Sequence, residues 1–204
     1  MAYSDFTLIE LQRRFNIKNK IVDLFDKNQI NPLQASAHLL KQLDEAERLP
    51  IRSEKARSEL IILPILLETW RINEEFFTIY SGDILVADKE KGLVGECNFI
   101  LAKDTDSFAM NSPIITIAEA KKQDMERGVN QCGAQLYGAF IFNEQSKTPI
   151  EKIYGCATTG DDWKFMCLEN NVIQVDRTTY YKSDLGKILG VFQVIMDYYK
   201  AILN

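Results

Sequence analysis

The stretch that most constrains the fold of this chain is residues 114–122, which read Ile-Ile-Thr-Ile-Ala-Glu-Ala-Lys-Lys. Its first part is apolar and rich in β-branched side chains, which predicts a buried strand. Side chains two residues apart on a strand point to the same face of the sheet. Glu119 and Lys121 are therefore expected side by side at the end of a core strand, a position that suits a site.

Length and composition predict one globular domain. They argue against a membrane span and against a surface that binds nucleic acid as a whole. The 204 residues, 46% hydrophobic and 26% charged, are enough for a sizeable core. A net charge of −5 means that any nucleic-acid contact must come from a local patch or a partner. No apolar run approaches a membrane span and the N-terminus lacks a signal pattern, so we expect a cytoplasmic protein without membrane contact.

Cysteine and histidine give no indication of a metal site. Cys97, Cys132, Cys156 and Cys167 are scattered without the Cys-x2-Cys step of zinc sites, which favours buried free thiols. The single histidine, His38, has no obvious partner and is expected to be structural. The phosphate-binding loop of nucleotide-hydrolysing motors is also absent from the sequence.

The first third of the chain has the apolar spacing of helices. The pattern predicts a helix over residues 4–28, a second over residues 33–48 and a third from Ser53, which is a natural N-cap. Pro64 is expected to bend the third helix. Glu54, in its first turn, either gains only from the helix dipole or points into the site.

From residue 75 onward the pattern changes to that of strands. Strands within residues 76–86, a turn at 89–92 and a strand over 93–101 predict a hairpin, followed by a loop over 103–113. The remaining predictions are helices over 123–140 and 184–203 and strands near 139–142, 151–158, 163–168 and 171–176. This order predicts a mixed α/β (α+β) fold around one central sheet with flanking helices.

The residue types around the core strand suit metal-dependent hydrolysis of phosphodiesters. Two carboxylates can hold Mg²⁺ or Mn²⁺, which lowers the pKa of a bound water. Lys121 would orient that water and counter developing charge, while Glu119 and Glu54 would contribute to the metal shell. Gln131 and Gln135 lie one turn apart on the next helix, and either can orient the lysine. The alternative is that Glu119 and Lys121 form only a structural ion pair.

Three segments together resemble the PD-(D/E)XK nuclease superfamily: Gly95–Leu101, Ser112–Lys122 and Gln131–Tyr137. Residues 154–165 are similar to an uncharacterised bacterial, largely cyanobacterial, group of that superfamily. Residues 53–66 resemble the glutamate-bearing helix in the nuclease domain of type I restriction motor subunits. The resemblance spans roughly residues 50–200.

The resemblance implies a restriction-endonuclease-like domain over residues 51–204, preceded by a helical N-terminal extension over residues 1–50, in one compact unit. It also implies a hydrolase that needs Mg²⁺ or Mn²⁺. Carried over position by position, Glu119 is the acidic residue of the motif and Lys121 its lysine. Glu54 is the helical glutamate, and Gln131 or Gln135 the later polar residue.

Asn98 departs from the motif, because the superfamily has its first metal-binding aspartate at this position. An amide oxygen can ligate a metal but brings no charge. A unit charge beside a divalent ion is worth roughly 8 kcal/mol at about 4 Å and an effective dielectric near 20, before desolvation is subtracted. We therefore expect weak metal binding and little or no cleavage, unless Asp83, Asp88 or Glu96 substitutes.

Two functional hypotheses follow. The first is a metal-dependent nuclease that acts on DNA rather than RNA. The second is a catalytically inactive protein of the same fold that binds nucleic acid or a partner protein. Arg57, Lys121 and Lys122 are the candidate nucleic-acid-binding residues. Tyr198 and Tyr199 of the last helix, read as exposed, are candidates for a homodimer surface, although core packing explains them equally well.

Overall fold

A mixed sheet of eight strands forms the centre of the protein, in a computed structural model that describes residues 1–26, 28, 30–103 and 109–203. In chain order the strands are β1 Lys18–Val22, β2 Thr78–Ser81, β3 Ile84–Asp88, β4 Leu93–Glu96, β5 Phe99–Ala102, β6 Ile114–Ala120, β7 Lys152–Thr158, β8 Asp162–Glu169, β9 Val172–Asp176 and β10 Tyr180–Tyr181. The sheet order is β1-β9-β8-β7-β6-β5-β2, with β10 beside β8, while β3 and β4 form a separate two-stranded sheet. The predicted mixed α/β class is confirmed.

Helices cover both faces of the sheet. They are α1 Leu8–Phe15, α2 Ala37–Glu47, α3 Glu54–Arg57, α4 Leu63–Ile72, α5 Met125–Gln145 and α6 Leu185–Leu203. Helix α5 packs on one face, where Gly128 adjoins Ala157 of β7. Helix α6 packs on the other face, where Phe192 contacts Phe165 of β8. Among the described residues, no helix has the length and apolar composition needed to cross a bilayer.

Strand β6 is the centre of the core, as its β-branched run predicts. All seven of its residues are buried, and it pairs parallel to β7 and antiparallel to β5. Tyr199 of α6 links β6 to β7: its hydroxyl donates to the carbonyl of Ile115 and accepts from the amide of Tyr154. Tyr199 is fully buried, so its predicted exposure on a dimer surface is wrong.

The helix predicted over residues 4–28 is wrong beyond Phe15. Asn16 caps α1 in the left-handed conformation, with a φ of 56°, and ends it. Residues Lys18–Val22 then form β1, which pairs parallel to β9 at the edge of the main sheet. The N-terminal segment therefore contributes a strand to the sheet as well as helix, and the expectation that it is helical throughout is corrected.

The single strand predicted over residues 93–101 is divided into β4 and β5. The chain leaves β4 after Glu96 and enters the main sheet at Phe99. At the crossing the amide of Cys97 donates to the carbonyl of Asp83, and the amide of Gly82 donates to the carbonyl of Asn98. These long-range hydrogen bonds accompany the break, which falls in the stretch where Glu96 and Asn98 interrupt the apolar residues.

The strand predicted near 139–142 is wrong, because α5 continues to Gln145 and buries Ala139 on its inner side. The loop predicted over 103–113 includes residues 104–108, which lie outside the described residues. The strands predicted near 151–158, 163–168 and 171–176 correspond to β7, β8 and β9.

The third predicted helix positions Glu54 and is interrupted before Pro64. The hydroxyl of Ser53 accepts the amide of Ala56, which confirms Ser53 as the N-cap of α3. Residues Ser58–Ile62 form a π-helical turn, in which the amide of Leu63 donates to the carbonyl of Ser58. A proline has no amide proton and clashes with the carbonyl four residues earlier, so the wider turn accommodates Pro64.

We expect Leu11→Ala to destabilise the whole protein by about 2–5 kcal/mol, because Leu11 on α1 is fully buried in the common core. The matched control is Ile9→Ala on the same helix, where the side chain is exposed and the expected change is within about 0.5 kcal/mol. Urea denaturation measures both. Equal effects of the two substitutions would show that α1 is not part of the cooperative core.

Candidate functional site

Glu119 and Lys121 meet at the end of β6, as strand alternation predicts. The Lys121 ammonium lies 2.7 Å from Oε1 of Glu119. Glu119 is 1% exposed, while the Lys121 side chain is 11% exposed. The amide of Lys121 donates to the carbonyl of Thr158 on β7, so the backbone holds the lysine in place beyond the strand.

Helix α5 supplies the second partner of the carboxylate. Nε2 of Gln135 donates to Oε2 of Glu119 at 2.8 Å and lies 3.4 Å from the carbonyl oxygen of Glu96. Of the two predicted glutamines the structure thus brings Gln135 to the site. Gln131 is buried one turn away, and among the described residues it makes no hydrogen bond to Glu119 or Lys121.

Glu54 approaches the same lysine from the start of α3. Its Oε1 lies 3.4 Å from the ammonium of Lys121, and 41% of its side chain is exposed. Lys121 is therefore shared between one buried carboxylate and one half-exposed carboxylate. Sequence reasoning placed these residues in one site, and the structure brings them together from β6 and α3.

Asn98 lies at the same sheet end, between β4 and β5. Its Oδ1 accepts the backbone amide of Ala120 at 3.0 Å. This hydrogen bond uses one of the two lone pairs of the only side-chain atom able to ligate a metal, and the other terminal atom is an amide nitrogen. The contact ties the start of β5 to the end of β6.

A cleft of about 440 Å³ opens beside Asn98. Its charged and polar lining comprises Glu54, Lys55, Ser58, Glu59, Ser81, Glu96 and Asn98. Of the three carboxylates considered as substitutes for the missing aspartate, the structure places Glu96 in this cleft. Asp88 is elsewhere, in an ion pair with Lys91.

Burial dominates the electrostatics of the site. It raises the pKa of Glu119, although Lys121 and Gln135 act in the opposite direction. Burial also raises the pKa values of the Cys97, Cys132 and Cys156 thiols, which the negative charge of Glu119 reinforces. All four cysteines are free and buried, as predicted.

Direct coordination of Mg²⁺ or Mn²⁺ would have to compete with hydrogen bonds within the protein. Both Glu119 oxygens and the Asn98 oxygen accept hydrogen bonds from protein donors. A search of the described residues finds no group of three His, Cys, Asp or Glu side chains placed to hold a metal. Magnesium needs near-octahedral oxygen ligands, so binding requires the network around Glu119 to open.

Arg57 and Lys122, the other predicted nucleic-acid-binding residues, occupy different settings. Nη1 of Arg57 donates to the carbonyl of Thr159 and to Asp161, so this guanidinium fixes the β7–β8 turn. Lys122 is exposed at the site's rim. Gly128 is predicted from the sequence to allow close approach to its helix, but its neighbour is not: an added Cβ would lie 3.0 Å from Cγ of Lys121. Only its place on the inner face of α5 signals that it makes room for the lysine.

Comparison with protein-family models, with curated proteins and with solved structures finds no match to this chain. The PD-(D/E)XK resemblance therefore stays a prediction that rests on the motif residues. The structure adds their placement: Glu54, Asn98, Glu119, Lys121 and Gln135 come from separate parts of the chain and lie at one end of the sheet.

We expect the pH dependence of stability to report the buried carboxylate. Because the pKa of Glu119 is raised above its ordinary value of 4.5, the native state keeps the proton that the unfolded state has lost. The free energy of unfolding of the wild type should therefore fall relative to that of Glu119→Gln as pH rises above 4.5, by at most about 1.4 kcal/mol per pH unit, until the folded pKa is passed.

Urea denaturation of both proteins between pH 4 and pH 8 measures this difference. Lys121 and Glu54 are the charged groups that face Glu119 and are present in both proteins. A difference that rises with pH would mean that hydrogen bonding outweighs burial and lowers the pKa.

Proposed function

We propose that this chain is a degenerate PD-(D/E)XK nuclease whose retained function is binding rather than phosphodiester hydrolysis. The observation that carries the proposal is the hydrogen bond from the Ala120 amide to Oδ1 of Asn98. It gives a structural role to the one uncharged oxygen at the position where the superfamily has a metal-binding carboxylate. The remaining motif residues, Glu54, Glu119, Lys121 and Gln135, lie together, which supports the proposal, while Asn98 brings no charge.

The charge of the cleft favours a partner protein over bare nucleic acid. Glu54, Glu59 and Glu96 line the cleft, and Lys55 is the one basic residue among the described residues that line it. A phosphodiester backbone entering this cleft without a cation would meet three carboxylates, which repel it. DNA, the nucleic acid favoured over RNA by the resemblance, would need a bound cation or the exposed Lys122 at the rim.

A cytoplasmic location and a homodimer also stay predictions.

Glu96 supports a second candidate, an active nuclease that depends on Mg²⁺ or Mn²⁺. Its side chain lines the same cleft as Asn98, and Oε1 lies near the turn at Gly82. Its carboxylate has no hydrogen-bond or ion-pair partner among the described residues. In this candidate Glu96 supplies the charge that Asn98 lacks, so DNA cleavage by the wild type distinguishes the two candidates.

We expect Asn98→Asp to strengthen binding of Mn²⁺ and Mg²⁺ at least about tenfold. One aspartate oxygen keeps the Ala120 amide as its donor, while the other replaces the amide nitrogen by an anionic ligand. Isothermal titration calorimetry with each ion measures the change, and a supercoiled-plasmid assay tests whether cleavage accompanies it.

The matched control is Asn19→Asp, which makes the same change of charge at an exposed residue on the edge strand β1. It should leave metal affinity unchanged. If Asn98→Asp binds no metal better than the control does, the proposed descent from a metal-dependent nuclease loses its physical basis.

If the second candidate is correct, the wild type nicks plasmid DNA in Mn²⁺, and both Glu119→Gln and Lys121→Met abolish nicking. Loss of either group removes half of the ion pair at the end of β6. Circular dichroism controls for folding, and Gln131→Ala, outside the network, should retain activity. Wild-type cleavage that survives both substitutions would place the reaction elsewhere on the protein.

A further inference from the structure

The acidic cleft beside Asn98 contains two polar groups that lack partners. The hydroxyl of Ser58 is buried with no hydrogen bond, and the residue is only 8% exposed. The Glu96 carboxylate has no hydrogen-bond or ion-pair partner in the part of the chain that the structure describes. Both residues line the cleft, so a ligand with several donors would satisfy both.

The helix geometry places Ser58 beside Glu54. The two residues are four apart across α3 and the π-helical turn, so they share a face. Glu54 contacts Lys121 at 3.4 Å, and Glu59 lies 3.8 Å from Lys55 in a pair of exposed side chains that holds little energy. Glu54 and Glu59 therefore retain acceptor capacity towards the cleft.

The distribution of these acceptors suits an organic cation better than a metal ion. The carboxylates are spread around about 440 Å³, a volume within the range of about 300–1,000 Å³ usual for ligand pockets. Among the described residues no three of them approach closely enough to hold a metal. A guanidinium group presents five N–H donors in a plane and reaches several separated acceptors at once.

We infer that this cleft binds the guanidinium group of an arginine side chain from a partner protein. Glu96 and Glu54 supply the charge, and Ser58 supplies a neutral acceptor. The inference rests on the proposed binding function and specifies its ligand. Asn98 fits this role, since its amide lines the cleft without adding a further negative charge.

The experiment titrates full-length ¹⁵N-labelled protein with N-acetyl-arginine methylamide at fixed ionic strength. Amide shifts should concentrate at residues 54–59 and 96–98. N-acetyl-lysine methylamide should bind about threefold to tenfold more weakly, because an ammonium has three donors and lacks the planar fork. Free guanidinium chloride at millimolar concentration distinguishes recognition of the charged group alone from recognition of the amino-acid framework.

Two variants locate the site. Glu96→Gln, at an exposed residue, should weaken binding about threefold, and Ser58→Ala, which suits a helix, about fivefold. The matched control is Glu151→Gln, which neutralises an exposed carboxylate in a second acidic cavity lined also by Glu144 and Glu169. It should leave binding unchanged.

Three results would overturn the inference: shifts spread over both acidic cavities, equal weakening by Glu151→Gln and Glu96→Gln, or Mg²⁺ shifts at residues 54–59 and 96–98 that exceed those of the arginine probe. Failure here is distinct from failure of the proposed nuclease descent. The latter is decided by metal binding to Asn98→Asp, whereas the arginine titration uses the wild type without metal.

Discussion

The hydrogen bonds to the buried carboxylate of Glu119 are the interaction on which the site depends. A carboxylate that is 1% exposed is strongly destabilising unless its oxygens have donors. Lys121 bonds one oxygen and Gln135 the other, so strand β6 and helix α5 are tied together by a polar contact inside an apolar core. Apolar packing alone tolerates small shifts of a helix on a sheet, whereas this contact fixes the position of α5.

The same hydrogen bonds to Glu119 oppose metal binding by its carboxylate. A metal ion would compete with Lys121 and Gln135 for the Glu119 oxygens, which already have donors. The side-chain oxygen of Asn98 also has a donor, the amide of Ala120. Both carboxylate oxygens of Glu119 therefore have donors, whereas Oε1 of Gln135 is buried without a hydrogen-bond partner among the described residues. The small side chain of Gly128 belongs to this arrangement, since the stem of Lys121 passes against it.

Sequence patterns predicted those features of the site that are set within a single strand or helix. The β-branched run predicted the buried strand β6, and strand alternation predicted that Glu119 and Lys121 lie side by side at its end. The choice between Gln131 and Gln135 depends on how α5 is rotated on the sheet, which the spacing of two residues on one face leaves open. Edge strand β1 was missed because its side chains are mostly exposed and show no alternation. The break after β4 depends on partners distant in the sequence.

The amide at Asn98 and the acidity of the cleft are linked by electrostatics. An aspartate at position 98 would line the same cleft as Glu96 and Glu54. Glu119 lies at the same end of the sheet, and Lys121 is the cation that Glu54 and Glu119 share. Without a divalent ion, like charges so close repel one another and raise the free energy of the folded state. An asparagine keeps the hydrogen bond to Ala120 and removes that repulsion. The substitution that would weaken a metal site in the proposed nuclease ancestor would thus also stabilise this end of the sheet when no metal is bound.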